Sequence, residues 1–443
     1  MTTSDPSGGQ CPAHQSPEYR AAVGGHGATS QQQPQQPIEQ PPPELPLPIH
    51  GPEFSANPRA TYERLRAQGP IAPVEIAPGV YGYLTTTYRS ALYLLRNTPN
   101  RFAKNPRHWQ ALRDGHVPPD SPAALMMGPR DNALWMDGPA HARHRRAITG
   151  SLDKVDTHAL AATVTRIADQ LIDSFAADGE IDLVSRYADP LPMLTLIDLF
   201  GCPEELGHRL VVAIGMLFDT DADGAQANAE IAASCMALTD LKRRDPGPDV
   251  TSWLLAHEAG LDDEEMVQTI LLVIGAATTP SSNLIMNGVL RMITDARFAG
   301  NVHDGVQPVS DALDEVLWND PPVSNYSPLY ALGYQTYEGI TIHPGYPVLV
   351  SFAAANSDPA LGLHAGSRAG NRGHLAFSAG VHACPSPDLA RIISETAIER
   401  VLDRLQPLTF AGDLIRRPGT YHSGLTELLV RYQPSSPLAA SER

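Results

Sequence analysis

The stretch richest in usable chemistry is Phe377-Ser-Ala-Gly-Val-His-Ala-Cys-Pro-Ser-Pro-Asp-Leu-Ala-Arg391. Cys384 closes a loop that contains Gly380, and a helix follows at once. Leu389, Ile393, Ala397, Val401 and Leu405 mark one face of that helix. Ser386 stands at the N-cap position and Pro387 at the first helical one. A sulfur placed there meets free backbone N–H groups and the positive end of a helix dipole. Both favour thiolate over thiol, and the thiolate is the form that ligates a metal. Gly380 allows a loop conformation that a side chain would resist. On these residues alone, a buried Cys in a loop-to-helix joint stays open.

A second cluster is His141-Ala-Arg-His-Arg-Arg146. His141 and Arg145 are four apart, hence on one helical face, where two donors can address carboxylates. A local basic patch on an acidic chain fits an anionic cofactor or a small acidic partner, and a solvated helix face is the competing reading. The third group is Gly275-Ala-Ala-Thr-Thr279, followed by Pro280. Proline removes one N–H and clashes with the carbonyl four residues back, at Ala276. A kink there would open backbone groups to water. Alternatively, Thr278 and Thr279 only back-bond within the helix. Glu315 and Trp318 form the fourth group, three apart and able to face the same neighbour.

The elements that must carry these groups are mostly helices. Pro58 to Ala67 reads as a first helix. Leu160, Val164, Ile167, Leu171 and Ile172 predict a helix over Val155 to Ala177. The longest helix is predicted from about Asp263 to Thr294, with Asp262, Asp263, Glu264 and Glu265 at its positive end. Its segment Ile270-Leu-Leu-Val-Ile274 is apolar all round and belongs in the core. At the helical rise it would be roughly 45 Å long, enough to cross a domain. Asp311 to Trp318 reads as another helix, and Tyr81 to Tyr88, Val348 to Phe352 and Leu428 to Tyr432 as strands. The expected fold is mainly α with small β-sheets, one large domain over residues 46–443. Residues 1–45, with Gln31-Gln-Gln-Pro-Gln-Gln36 and Pro41-Pro-Pro43, read as a disordered Pro/Gln-rich leader.

Composition narrows the class. Of 443 residues, 42% are hydrophobic, enough for a substantial core. No run of about 18 apolar residues is present, so no membrane span is expected. No basic start precedes an apolar stretch near the N-terminus, so no signal peptide is expected either. Cys11, Cys202, Cys235 and Cys384 are scattered and build no disulfide framework. The expected location is the cytoplasm, where thiols stay reduced. A net charge of -17 argues against a nucleic-acid partner.

The cysteine stretch resembles the cysteine loop of the cytochrome P450 family, Phe-x-x-Gly-x-His-x-Cys followed by Leu-Ala-Arg. Phe377, Gly380, His382, Cys384, Leu389, Ala390 and Arg391 match. The resemblance extends over nearly everything after the leader. It implies haem b (iron protoporphyrin IX), with Cys384 as the iron ligand, His382 reaching a propionate and Phe377 packing beside the sulfur. A thiolate ligand pushes electron density into the iron and favours O–O cleavage. His141 and Arg145 stand where the family's helix contacts the propionates. Thr278 matches the catalytic Thr of the family's oxygen groove, Ala-Gly-x-acid-Thr-Thr. The implied activity is a bacterial, soluble haem monooxygenase. It would insert oxygen from O2 into a small organic substrate, with electrons from a separate acidic ferredoxin and its reductase.

Several positions depart from the family's pattern. Ser386 replaces a Gly, Ala277 the groove acid and Ile274 its leading Ala. Leu329 falls, without gaps, where many relatives place another propionate-binding Arg. The family's Glu-x-x-Arg ion pair is Glu315-Val-Leu-Trp318 here, and the loop from Asp358 to His374 lacks Pro-x-Arg-Phe. The chain resembles an actinobacterial branch that carries this Trp. Glu315 is expected to accept from the Trp318 indole, or from Arg368 or Arg372, with a partly solvated acid as the alternative. The departures keep two other readings open. One is a haem-binding sensor or partner protein with little oxygenase activity. The other is a haem isomerase or a peroxide-driven enzyme.

Overall fold

The apolar run Ile270–Ile274 lies in the longest helix, and that helix organises its neighbours. The computed structural model describes residues 46–216, 224–299, 309–363 and 368–438. The Pro/Gln-rich leader and Cys11 lie outside the described residues. Among these, the helices of nine residues or more are α1 (Pro58–Gln68), α2 (Tyr88–Arg96), α3 (Gly138–Leu152), α4 (Thr157–Asp173), α5 (Pro190–Leu199), α6 (Glu204–Met216), α7 (Gly224–Arg244), α8 (Asp263–Thr294), α9 (Val309–Asn319) and α10 (Pro387–Arg404).

α8 has the bounds its sequence predicts. Asp262 accepts from the Glu265 N–H at 2.9 Å, and the Glu265 carboxylate accepts from the Asp262 N–H at 3.0 Å. This capping box satisfies two orphan donors at the helix start. α8 packs on α10, α7, α9 and α5. Gly288 permits the closest approach, since a Cβ there would lie 2.5 Å from Ile398 of α10. By length and composition α8 could cross a membrane, yet half of its apolar window is buried inside the protein. Its apolarity therefore serves a protein core. One central turn differs: Gly275 and Ala276 are exposed, between buried Ile274 and buried Ser281.

The strands are β1 (Leu47–Pro48), β2 (Ile71–Ala77), β3 (Val80–Thr85), β4 (Phe102–Ala103), β5 (Glu180–Asp182), β6 (Asn325–Ala331), β7 (Gln335–Tyr337), β8 (Ile340–Ile342), β9 (Pro347–Ser351), β10 (Thr409–Phe410) and β11 (Leu429–Arg431). They form a sheet of order β1-β2-β3-β9-β6-β4, a second of order β10-β11-β5, and the pair β7-β8. The predicted strand from Tyr81 ends at Thr85 instead of Tyr88. Thr87 accepts from the Ser90 N–H at 3.2 Å and caps α2, so Tyr88 opens a helix. The predicted helix over Val155 to Ala177 is shorter, because Asp156 caps α4 at its start and Ser174 ends it. In β6 the pairing with β9 slips between Tyr326 and Leu329, around Ser327 at φ 57°. A bulge of this kind also accommodates Pro328, which cannot donate to a ladder.

α10, which follows the cysteine loop, is tied down by buried charge. Asp169 of α4 accepts from Arg400 at 2.6 Å and Arg404 at 2.8 Å. Arg391 is buried and donates to Asp314 of α9 at 2.5 Å and to the Ser310 carbonyl at 3.3 Å. Removing one member of such a pair leaves an uncompensated buried charge. Arg391→Ala should therefore lower unfolding stability by about 3–5 kcal/mol. Denaturant titration checks this, and a loss below ~1 kcal/mol would show that Asp314 finds another partner.

Candidate cofactor site

Cys384 sits between a single helical turn, Gly380–His382, and α10. Its N–H donates to the Phe377 carbonyl at 2.9 Å and closes the loop. Gly380 has φ 74°, and a Cβ there would collide with the Leu95 carbonyl of α2. Glycine is required for both reasons, as the loop reading anticipates. Ser386 does occupy the N-cap position, but its hydroxyl makes no capping bond. Its backbone, at φ -146° and ψ 67°, departs from the extended geometry that aims an N-cap oxygen at the first turn. The Ser386 N–H instead donates to the Cys384 sulfur. Burial pushes the Cys384 thiol up, against the pull of that N–H and of the Arg145 guanidinium. The Ser386 N–H thus favours thiolate, as the loop reading expects, while desolvation opposes it and is the larger influence. A bound metal cation would reverse the balance, because a coordinating thiol is deprotonated outright.

The basic run on α3 divides between two duties. Arg143 makes a bidentate pair with Glu265, 2.7 Å on each side, and His144 lies 3.2 Å from the same carboxylate. Those two residues lock α3 to the start of α8. His141 and Arg145 turn to the cysteine loop. Arg145 donates to the Ala383 carbonyl. The His141 and His382 rings stand side by side, 4.0 Å between centroids. Nε2 of His141 and Nε2 of His382 are both buried without a hydrogen-bond partner. Burial pushes both imidazoles down, His382 to about 2.

Sequence reasoning missed a third group. Lys104 is 0% exposed, and its Nζ donates to Ser327 Oγ at 3.1 Å and the Pro328 carbonyl at 3.3 Å. Its charge acts on His382. A single Lys after Phe102-Ala103 carries no local sign of burial, so only tertiary structure reveals it. Two orphaned imidazole nitrogens, a buried ammonium and a guanidinium form a donor set for carboxylates. A thiol beside them completes the requirements of a haem with two propionates, and the residues present fit that group. Phe377 packs against His374, centroids 5.8 Å apart. Thr278 donates to the Ile274 carbonyl at 2.7 Å, the back-bond that its sequence left open. α8 continues through Pro280 without a break.

The supporting ion pair differs from expectation. Glu315 is 2% exposed, which excludes a solvated acid. It accepts from Arg297 at 2.9 and 3.0 Å and from Arg291 at 3.4 Å. Neither the indole nor the loop arginines serve it. The Trp318 indole donates to the Asn371 carbonyl at 2.7 Å, Arg368 donates to Asn319, and Arg372 lies 4.0 Å from Asp388. The physical reason is supply. Cations at and just beyond the end of α8 reach Glu315 first, while one loop carbonyl is all an indole needs.

No family model matches the chain. It is 31% identical over 409 residues to cytochrome P450 monooxygenase PikC of Streptomyces venezuelae, covering 88% of this chain and 95% of that protein. The chain belongs to the cytochrome P450 family. This P450 is also 30% identical over 397 residues to vitamin D(3) 25-hydroxylase of Pseudonocardia autotrophica, covering 86% and 96% of the two chains. Among solved structures, CYP154C4 from Streptomyces sp. W2061 matches at TM-score 0.78 and 27% identity, over 90% of this chain and 100% of that one. The fold is the mainly helical P450 fold, the cofactor is haem, and the enzyme is a cytochrome P450 monooxygenase.

Trp318→Arg tests the altered support. Glu315 is already paired, and the site beside Trp318 offers a carbonyl and the buried His374 ring. An arginine there gains no carboxylate, so the P450 should lose roughly 3 kcal/mol or more of stability. A variant that binds haem normally and melts at or above the wild-type temperature would contradict this.

Proposed function

We propose that residues 46–443 hold haem b through Cys384 and oxidise a small organic substrate in the cytoplasm. Electrons would come from a separate acidic ferredoxin and its reductase. One observation carries the reading. The cysteine of Phe377-x-x-Gly-x-His-x-Cys384 shares its loop with His382, whose buried ring nitrogen lacks a partner, as does that of adjacent His141. When bound, the haem supplies activation of O2 and insertion of one oxygen atom into a C–H or C=C bond.

The chain's own residues do the rest. Cys384 provides the thiolate, steadied by the Ser386 N–H and by Arg145. His141, Arg145 and His382 hold the propionates, and Phe377 screens the sulfur. Thr278 presents a hydroxyl that can shift from the Ile274 carbonyl to a proton-accepting oxygen at the groove. Ala277 supplies no acid beside it. Water must then bring the proton, and the Ala276 carbonyl, deprived of its helical donor by Pro280, offers water an acceptor on an exposed turn.

A carbon monoxide difference spectrum of the reduced protein tests the ligand. Cys384→Ala should abolish the thiolate-type spectrum while leaving a mainly helical protein. Persistence of the wild-type spectrum would remove Cys384 from this role. Turnover with ferredoxin, its reductase and O2 separates a monooxygenase from a sensor, and product from peroxide alone would favour a peroxide-driven enzyme. Ala277→Asp should raise product formed per reductant consumed if proton delivery limits turnover. An unaltered ratio would show that water already does the work.

A further inference from the structure

We infer that Lys104 binds a haem propionate, in the duty many relatives give to an Arg where this chain has Leu329. The inference rests on haem occupying the site proposed above. Leu329 is 1% exposed and apolar, so β6 brings no cation to the haem edge from that position. β4 pairs antiparallel with β6, Phe102 opposite Ala331 and Ala103 opposite Tyr330. Lys104 is the residue just after β4, one step beyond the Ala103–Tyr330 pair and so level with Leu329 were the register continued. The missing charge thus returns from the neighbouring strand at the same level of the sheet.

The seat for this ammonium is built, not incidental. The β6 bulge, with Ser327 at φ 57°, offers Ser327 Oγ and the Pro328 carbonyl to Lys104 Nζ. The Trp135 and Tyr326 rings lie 5.2 and 5.7 Å from the same atom. An ammonium has three N–H donors, and these contacts use two. The third has no carboxylate within ion-pair range among the described residues. Asp137 is the nearby acid, but its oxygens accept the Lys104 and Asn105 backbone N–H groups at 2.9–3.0 Å. Asp137 is also the N-cap residue of α3, so it fixes the Lys104 segment to the helix that carries His141. Without an anion, burial pushes Lys104 down to about 7. A propionate at the free donor would keep it charged. His382, on which Lys104 acts, and His141 beside it each carry a buried ring nitrogen without a partner, as does the Trp135 indole that faces Lys104. The spare Lys104 donor and the two partnerless imidazole nitrogens are what a dicarboxylate cofactor edge would engage.

The test uses purified holoenzyme. Two quantities are read: the rate of haem loss to excess apomyoglobin, and the midpoint potential of the iron. Lys104→Met should speed haem loss roughly tenfold, the scale of a charge-assisted hydrogen bond. It should also lower the potential, because removing a cation near the iron favours the ferric state. Adding Leu329→Arg to Lys104→Met should move both quantities back towards wild type. If Lys104→Met does not yield folded holoenzyme, Lys104→Gln, uncharged but still able to donate to Ser327, gives the same two readings. Faster haem loss at an unchanged potential, without rescue by Leu329→Arg, would assign Lys104 a packing role and overturn the inference. So would haem loss and potential both unchanged. A wild-type protein without a thiolate-type carbon monoxide spectrum would instead overturn the haem reading itself.

Discussion

Lys104 and His141 are buried, Arg145 and His382 half-buried, and none of the four has a carboxylate partner among the described residues. Taking cationic and hydrogen-bonding groups out of water without acceptors is unfavourable. Much of the surrounding structure answers that one constraint. The imidazoles are driven to their neutral form, Lys104 leans on neutral oxygens and aromatic faces, and Arg145 takes a main-chain carbonyl. The rest of the stability must come from elsewhere. It comes from the capping box and packing of α8, from Asp169 with its two arginines, and from Asp314 with Arg391. A cofactor that supplies two carboxylates and a metal cation would satisfy these groups, and by binding only the folded state it would raise the stability of the whole P450.

How much of this was legible depended on sequence distance. The bounds of α8 were readable because the acids at its start and its long apolar run are local signals. The face of α10 was readable for the same reason, and Leu389, Ile393, Ala397, Val401 and Leu405 are all buried. Gly380 was assigned correctly because its turn requires positive φ, although the Leu95 carbonyl that also excludes a side chain could not be foreseen. The strand ending at Thr85 was overextended because Tyr and Thr suit strands, while Thr87 acts as a cap. Lys104 escaped notice because its partners, Ser327 and Pro328, lie more than two hundred residues away. The basic run on α3 looked uniform in sequence. Only the position of Glu265 reveals that Arg143 and His144 fasten α3 to α8, while His141 and Arg145 face the cysteine loop.

Glu315 shows where family resemblance misleads. Relatives pair this acid with an arginine one helical turn away, so its partner was sought near Trp318 or in the following loop. The structure instead gathers Arg291, Asp295, Arg297 and Glu315 into one network of alternating charge. Arg297 holds Asp295 to about 2, which keeps the second acid ionised and the network intact. The ion pair has moved from the loop side of α9 to the end of α8. Its physical task, neutralising a buried carboxylate on α9, is still performed.

The two main departures therefore bear on different parts of the enzyme. Trp318 alters how the loop before Cys384 is fastened to α9: a neutral indole-to-carbonyl bond at Asn371 stands in for a charged one. Such a bond needs no counter-ion and avoids most of the desolvation penalty of a buried guanidinium. It leaves the cysteine loop in place, since Gly380 against Leu95 and the Cys384-to-Phe377 bond fix it independently. Ala277 lies instead in the central turn of α8, where Gly275 and Ala276 are open and Pro280 frees a carbonyl. The fastening of the cysteine loop has thus been rebuilt with other residues, while the central turn of α8 carries only Thr278 and the carbonyl freed by Pro280.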